Sequence, residues 1–180
     1  MREWRPESRE RLFRHRILSL WRHLLASGDD RREALIVEAP DWVNVVPLTD
    51  DGRVLLVRQW RYGIAAPTLE IPGGMVEESD PQAAAARELE EETGHRARRW
   101  RKLGVLHPNP AFLDNRLITY LATDLVRIGE PLGDGHEEIE LETAALSDIP
   151  GLITGGRITH SLVVAAFYLL AQQPRPADAP

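Results

Sequence analysis

An α+β domain is the fold class expected of this chain, on three observations. Short β-rich stretches dominate it, an alanine-rich helical pattern falls early, and an apolar helical pattern falls late. Glycine and Asx turns separate most of these segments. A chain of 180 residues with 43% hydrophobic and 28% charged content is long enough to bury a core as one domain without staples.

Taken in order, residues 1–10 are charged and expected to be loosely ordered. Leu12 to Leu25 mixes apolar and polar positions, Ser27-Gly28-Asp29-Asp30 reads as a turn, and Ala34 to Glu38 as a strand. Together these give an N-terminal β-hairpin region over 1–39, ahead of a main region over 40–172. Trp42 to Leu48 and Val54 to Trp60 pair across the Asp50-Asp51-Gly52 turn. Thr68 to Ile71 is a short strand entering Pro72-Gly73-Gly74. Residues 80–93 form the early helix, because Ala83 to Ala86 are strong helix formers, Asp80-Pro81 reads as cap and first helical residue, and Gly94 is a stop. Trp100 to His107, Arg116 to Thr123 and Ile139 to Leu146 are further strands, with a turn at Gly133-Asp134-Gly135. A short helix at 149–153 precedes a last one, from Thr159 or His160 to Gln172. The tail 173–180 holds three prolines and is expected to be disordered.

Several functional classes are excluded or disfavoured before any motif is considered. With no cysteine, disulfides, thiolate metal sites and a cysteine nucleophile are impossible. A formal charge of −6 opposes nonspecific nucleic-acid binding, which requires a basic surface. Leu162 to Ala171 is too short to span a bilayer, and the first residues lack the apolar segment of a secretory signal, so a cytoplasmic location is expected. Only Lys102 is a lysine, so an anion clamp would be built from arginine forks.

The segment that carries chemistry is 70–95. Positions four apart share a helix face, so Glu88 and Glu92 project together, with Glu91 alongside and Arg87 four residues before Glu91, placed to pair with it. Carboxylates gathered this closely repel unless a cation sits among them, and oxygen ligands favour a hard ion such as Mg²⁺ or Mn²⁺. A solvated glutamate face on an Ala-rich helix is the bland alternative. The combination with the Pro-Gly-Gly turn tips the reading toward a site.

That combination resembles the box of the Nudix hydrolase family, written G-x5-E-x7-R-E-U-x-E-E-x-G-U with U aliphatic. Gly73, Arg87, Glu88, Leu89, Glu91, Glu92 and Gly94 match it. Two positions depart: Ser79 stands where the first Glu falls, and His95 stands at the final U. Outside the box, Val57 to Gly63 (Val-Arg-Gln-Trp-Arg-Tyr-Gly) followed by Leu69 to Gly74 is similar to the ADP-ribose and nucleotide-sugar pyrophosphatase subgroup, as is Pro108-Asn109-Pro110-Ala111. The resemblance covers about 40–171 and implies an α/β/α sandwich around a mixed sheet.

It also implies metal-dependent hydrolysis of the pyrophosphate bond of ADP-ribose or a related nucleoside diphosphate sugar, with Mg²⁺ or Mn²⁺ as cofactor and a homodimer exchanging the N-terminal hairpin. Metal would be held by Gly73, Glu88, Glu92 and Glu137. The catalytic set would be Glu91, Glu137, Glu138 and Arg87, with the base favoured in the 137–140 acidic loop and Glu140 as a further alternate. Substrate would meet Arg58, Arg61, Glu70, Trp42 and Pro110. The structural alternative for the arginines is that one of them merely pairs with a surface acid, Arg58 at its strand end above all, while Trp42, Trp60 and Tyr62 could stack on a base, with core packing as their alternative. His107 and His160 read as a loop and a helix-start histidine with no catalytic part. The runner-up functions are a Nudix hydrolase of other nucleotides, such as 8-oxo-dGTP, and a catalytically weak Nudix-fold nucleotide-binding module.

Overall fold

The computed structural model describes residues 1–77, 79–131 and 138–173. The strands and helices are β1 (Arg5–Arg14), β2 (Ser19–Ser27), β3 (Asp30–Glu38), β4 (Trp42–Pro47), β5 (Arg53–Arg61), β6 (Ala66–Glu70), β7 (Gly73–Met75), α1 (Pro81–Thr93), β8 (His95–Leu106), β9 (Leu117–Arg127), β10 (Ile139–Ala145), α2 (Ile149–Thr154) and α3 (Ser161–Ala171). A 3-10 turn, Leu146–Asp148, leads into α2. The expected turn at 133–135 and most of the tail lie outside the described residues.

The chain divides into two compact units, one of residues 1–41 with 106–117 and one of 42–105 with 118 onward. In the first, β1-β2-β3 form an antiparallel three-stranded sheet in which none of residues 1–41 is buried. Here the structure departs from expectation: residues 5–14 are a strand, and the hairpin is a three-stranded meander. Charge does not prevent a strand when its partner offers a backbone ladder, here interrupted by register shifts between Pro6 and Ser8 and between Arg11 and Phe13, and Arg9 and Arg11 stack over Trp21 at 5.0 and 5.4 Å. Residues 106–117 belong to this unit through hydrogen bonds: Val37 N–H donates to Phe112 O at 2.7 Å, and the Asn115 side chain donates from Nδ2 to Pro40 O at 2.9 Å.

The second unit is built on two sheets, β10-β5-β6 and β7-β4-β9-β8. Alternation along the strands sorts its core into two clusters, as a period of two requires. Val43 and Val45 of β4 and Ile118, Tyr120 and Ala122 of β9 face Ala84, Ala85 and Leu89 of α1. Val46 and Leu121, on the opposite face, join Val54, Leu56, Leu69 and Ile149 around Val163, Ala166 and Phe167 of α3. Helix, sheet and helix are thus layered, which is the α+β sandwich the sequence implied.

Helix α1 begins and ends as its sequence specifies. Asp80 accepts from Gln82 N at 3.0 Å, Pro81 opens the helix, and Gly94 closes it at φ 67° with its N–H bonded to Glu90 O. Gly94 is required twice over, since a Cβ there would also stand 2.3 Å from Gly129 O.

Candidate active site

Strand β7 is antiparallel to β4, with Asn44 opposite Gly73, Val43 opposite Gly74 and Trp42 opposite Met75. Each glycine makes a different approach possible. A Cβ at position 73 would fall 2.3 Å from Val43 O, so the strand pair itself forbids a side chain. A Cβ at position 74 would fall 2.1 Å from Glu88 Oε1, so that space belongs to a carboxylate of α1. One turn further along the helix, Glu92 is buried and its Oε2 accepts from Gly73 N at 3.1 Å. Glu88 and Glu92 therefore converge on one two-glycine segment, as their spacing on the helix predicts.

Arg87 organises the same face. It pairs with Glu91 at 2.8 Å and with Glu88 at 2.9 Å, and donates to Met75 O at 3.3 Å, tying helix to strand. The expected Arg87–Glu91 pair is present, which gives Glu91 a structural partner. Ser79, at the box position usually held by Glu, is exposed. His95 substitutes polar bonding for aliphatic packing, with Nδ1 2.7 Å from Thr93 O and its N–H donating to Thr93 Oγ1.

A second group of residues surrounds Glu70, whose side chain is only 3% exposed. Arg61 Nε and Nη2 each donate to it at 2.7 Å, and Thr68 Oγ1 donates to its Oε1. His160 Nδ1 lies 3.2 Å from Oε2. Burial alone would push the Glu70 carboxyl up. The Arg61 fork, His160 and Thr68 outweigh it and hold the group well below the usual carboxylate range. Arg58 pairs with Glu140 at 2.8 Å, in register across β5 and β10. Arg58 thus pairs with a surface acid, as the structural alternative allowed, whereas the acid that Arg61 holds is buried.

The remaining expected residues are dispersed. Trp42 is half-buried at the start of β4, while Trp60 and Tyr62 are exposed and take no part in the core. Glu138 is exposed, and Glu137 lies outside the described residues. Pro110, exposed, sits in the loop of the first unit, where Asn109 O accepts from the N–H groups of Phe112 and Leu113. Thr68 and His160 were not singled out for the site. The available signal was the position of His160 directly before an apolar helix, where Ser, Thr, Asp or Asn normally caps; its side chain makes no cap bond.

Comparison with known proteins identifies the family. A family model described as NUDIX domain matches residues 39–167. The chain belongs to the Nudix hydrolase family. It is 32% identical over 137 residues to an ADP-ribose pyrophosphatase of Bacillus subtilis, covering 75% of this chain and 74% of that protein. It is 31% identical over 153 residues to an ADP-ribose pyrophosphatase of Mycobacterium tuberculosis, covering 79% and 73%. Its fold matches a crystal structure titled as an ADP compounds hydrolase with a TM-score of 0.85 at 22% identity, over 96% of this chain and 94% of that one.

Hydrolases of this family generally use divalent metal ions. The residues present fit one. Two carboxylates aim at a segment cleared of side chains, and the donor set is oxygen throughout, the chemistry of a hard cation. Among the described residues no three His, Asp or Glu side chains already gather in ligand geometry; Glu88 and Glu92 would supply two carboxylates, with other oxygens needed to complete a site.

Proposed function

We propose that this Nudix hydrolase cleaves the pyrophosphate bond of ADP-ribose or a related nucleoside diphosphate sugar. Water adds to one phosphorus, the bridging P–O bond breaks, and the products are a nucleoside monophosphate and a sugar phosphate. The observation that carries the reading is the convergence of Glu88 and Glu92 on Gly73-Gly74, in a chain whose relatives include two ADP-ribose pyrophosphatases.

Glu88, Glu92 and the Gly73 carbonyl would hold the ion, Mg²⁺ or Mn²⁺, with Glu137 as a further ligand. When bound, the ion supplies neutralisation of phosphate charge and acidification of water. Arg87 keeps Glu88 and Glu91 in place on the helix and fixes the helix to β7. A base from the 137–140 segment, Glu137 or Glu138, removes the proton of the attacking water, while Glu91, already paired to Arg87, serves the scaffold. Arg61, held by Glu70 with its side chain 40% exposed, binds the diphosphate through its planar fork. Arg58 and Trp42 complete the substrate contacts.

Release of AMP from ADP-ribose on addition of Mg²⁺ tests the reading. Stronger turnover of nucleoside triphosphates than of ADP-ribose would shift it to the runner-up substrate class. Binding of ADP-ribose without AMP release would sink catalysis altogether. A homodimer formed through β1–β3 is part of the same proposal, supported by Phe13, Leu24 and Leu35, which are all more than 40% exposed on a sheet with no core of its own. Light scattering at the mass of one chain across a concentration series would refute it. Among the described residues no helix is long and apolar enough to cross a membrane.

A further inference from the structure

We propose that His160 is a positioning residue: by donating from Nδ1 to Glu70 Oε2 it locks the carboxylate that aims Arg61, and so sets affinity for the diphosphate. The inference rests on the reading that Arg61 meets the substrate.

A carboxylate offers about four lone-pair sites. At Glu70 each oxygen has two donors on hand. Oε1 accepts from Arg61 Nε and Thr68 Oγ1; Oε2 accepts from Arg61 Nη2 and faces His160 Nδ1. A bidentate fork holds only while carboxylate and guanidinium stay coplanar. Thr68 on one oxygen and His160 on the other fix that plane from both sides. Removing either donor frees the buried carboxylate to rotate and Arg61 to follow it.

Three observations make His160 a donor to Glu70 rather than a bystander. Its Nδ1 is inaccessible to solvent, stands 3.2 Å from Glu70 Oε2, and makes no hydrogen bond in the geometry as it stands, so it is a buried donor left to be satisfied. An unprotonated Nδ1 would set its lone pair against a carboxylate that is ionised at neutral pH, so the tautomer with hydrogen on Nδ1 is the one this contact favours. Its place at the start of α3 normally goes to a capping side chain, yet His160 makes no cap bond, and only its backbone carbonyl serves the helix, accepting from Val163 and Val164. Residue 160 reaches the cluster from α3, while Arg61 and Thr68 come from β5 and β6, so one tertiary contact ties the last helix to substrate binding.

Steady-state kinetics on the full chain with ADP-ribose and Mg²⁺ test this, using His160→Leu, His160→Asn, Arg61→Ala and the Arg61→Ala/His160→Leu double variant. His160→Leu is expected to raise KM about tenfold while kcat stays within about threefold, the signature of lost uniform binding. His160→Asn, which keeps an N–H near the Nδ1 position, restores most of the loss. In the Arg61→Ala background, His160→Leu adds nothing to KM. An unchanged KM in His160→Leu, or an equal KM increase with Arg61 already removed, overturns the proposal. A second readout does not depend on turnover or on the Leu variant folding. In wild-type protein, ¹⁵N NMR at neutral pH should show His160 carrying hydrogen on Nδ1 and a slowly exchanging Arg61 Nε–H. A bare Nδ1 overturns the inference. Absence of any ADP-ribose hydrolysis by wild-type protein would instead overturn the functional reading, and these NMR signals would still decide the His160 contact.

Discussion

The β1-β2-β3 sheet and the β7-β4-β9-β8 sheet are both held by strand pairing, yet they are stabilised in opposite ways. In the first, no strand residue is buried, and cohesion comes from the backbone ladder, from surface ion pairs such as Arg31–Glu7 at 2.7 Å, and from arginines over Trp21 and Trp4. In the second, Val43, Val45 and Ala122 are completely buried against α1. Exposed ion pairs contribute about 0–1 kcal/mol each, whereas burying one aliphatic side chain contributes about 1.5–3 kcal/mol. Catalytic geometry needs side chains held to fractions of an ångström. It is therefore no accident that Glu88, Glu92 and Glu70 are all anchored to the packed unit.

The contrast can be broken most directly at Glu92. Glu92→Gln keeps the shape of the side chain and its bond from Gly73 N, so folding stability should change little, while kcat should fall by about 10²–10³-fold, the scale of losing one group that stabilises transition-state charge. Near-wild-type turnover in that variant would remove the proposed metal site from the packed unit. The energetic half of the comparison is tested by paired truncations. Leu89→Ala, in the α1 core, should cost about 2–5 kcal/mol in denaturant unfolding. Leu35→Ala, half exposed on β3, should stay within about 0.5 kcal/mol. Equal losses would show that the two sheets are not stabilised differently.

Acid provides a third probe. Because the folded-state pKa of Glu70 is depressed, its ionised form stabilises the fold at pH values above the unfolded carboxyl's ordinary value, near 4.3, and that contribution is lost as pH falls from there toward the lower folded value. Stability should therefore decline below about pH 4.5, and Glu70→Gln should flatten that part of the curve while lowering stability at neutral pH. An unchanged acid limb in the variant would mean that other carboxyls dominate. The smallest effect is expected in hydrogen exchange. Amides of β1–β3 should open more readily than those of β4 and β9, with protection rising as protein concentration rises if a second copy covers the sheet. Concentration-independent protection equal to that of β4 would count against both the contrast and the dimer.

Much of the site was legible because it is local. Asp80-Pro81, the alanine run and Gly94 define α1 by short-range rules, and a helix of known pitch then places Glu88 and Glu92 on one face without further information. The pair from Arg87 to Glu91 follows from the same spacing. The strand status of 5–14 was not legible, because its charged, fully exposed residues show no burial pattern, and only pairing with β2 makes it a strand. Trp60 and Tyr62 illustrate the converse error of composition: aromatic residues are usually buried, but these two project outward.

By itself, then, the order of amino acids determined the helix, its caps, the shared face of its carboxylates and the family box, since each depends on neighbours within a few turns of chain. Only the tertiary structure decided that Gly73 yields to a strand backbone while Gly74 yields to Glu88, and that residues 61, 68, 70 and 160 share one buried carboxylate. Apart from the pairs that Arg61 and Thr68 make with Glu70 inside the β5–β6 hairpin, those contacts join segments distant in sequence. Their selection depends on which faces the layers bury against one another, and no local periodicity records that choice.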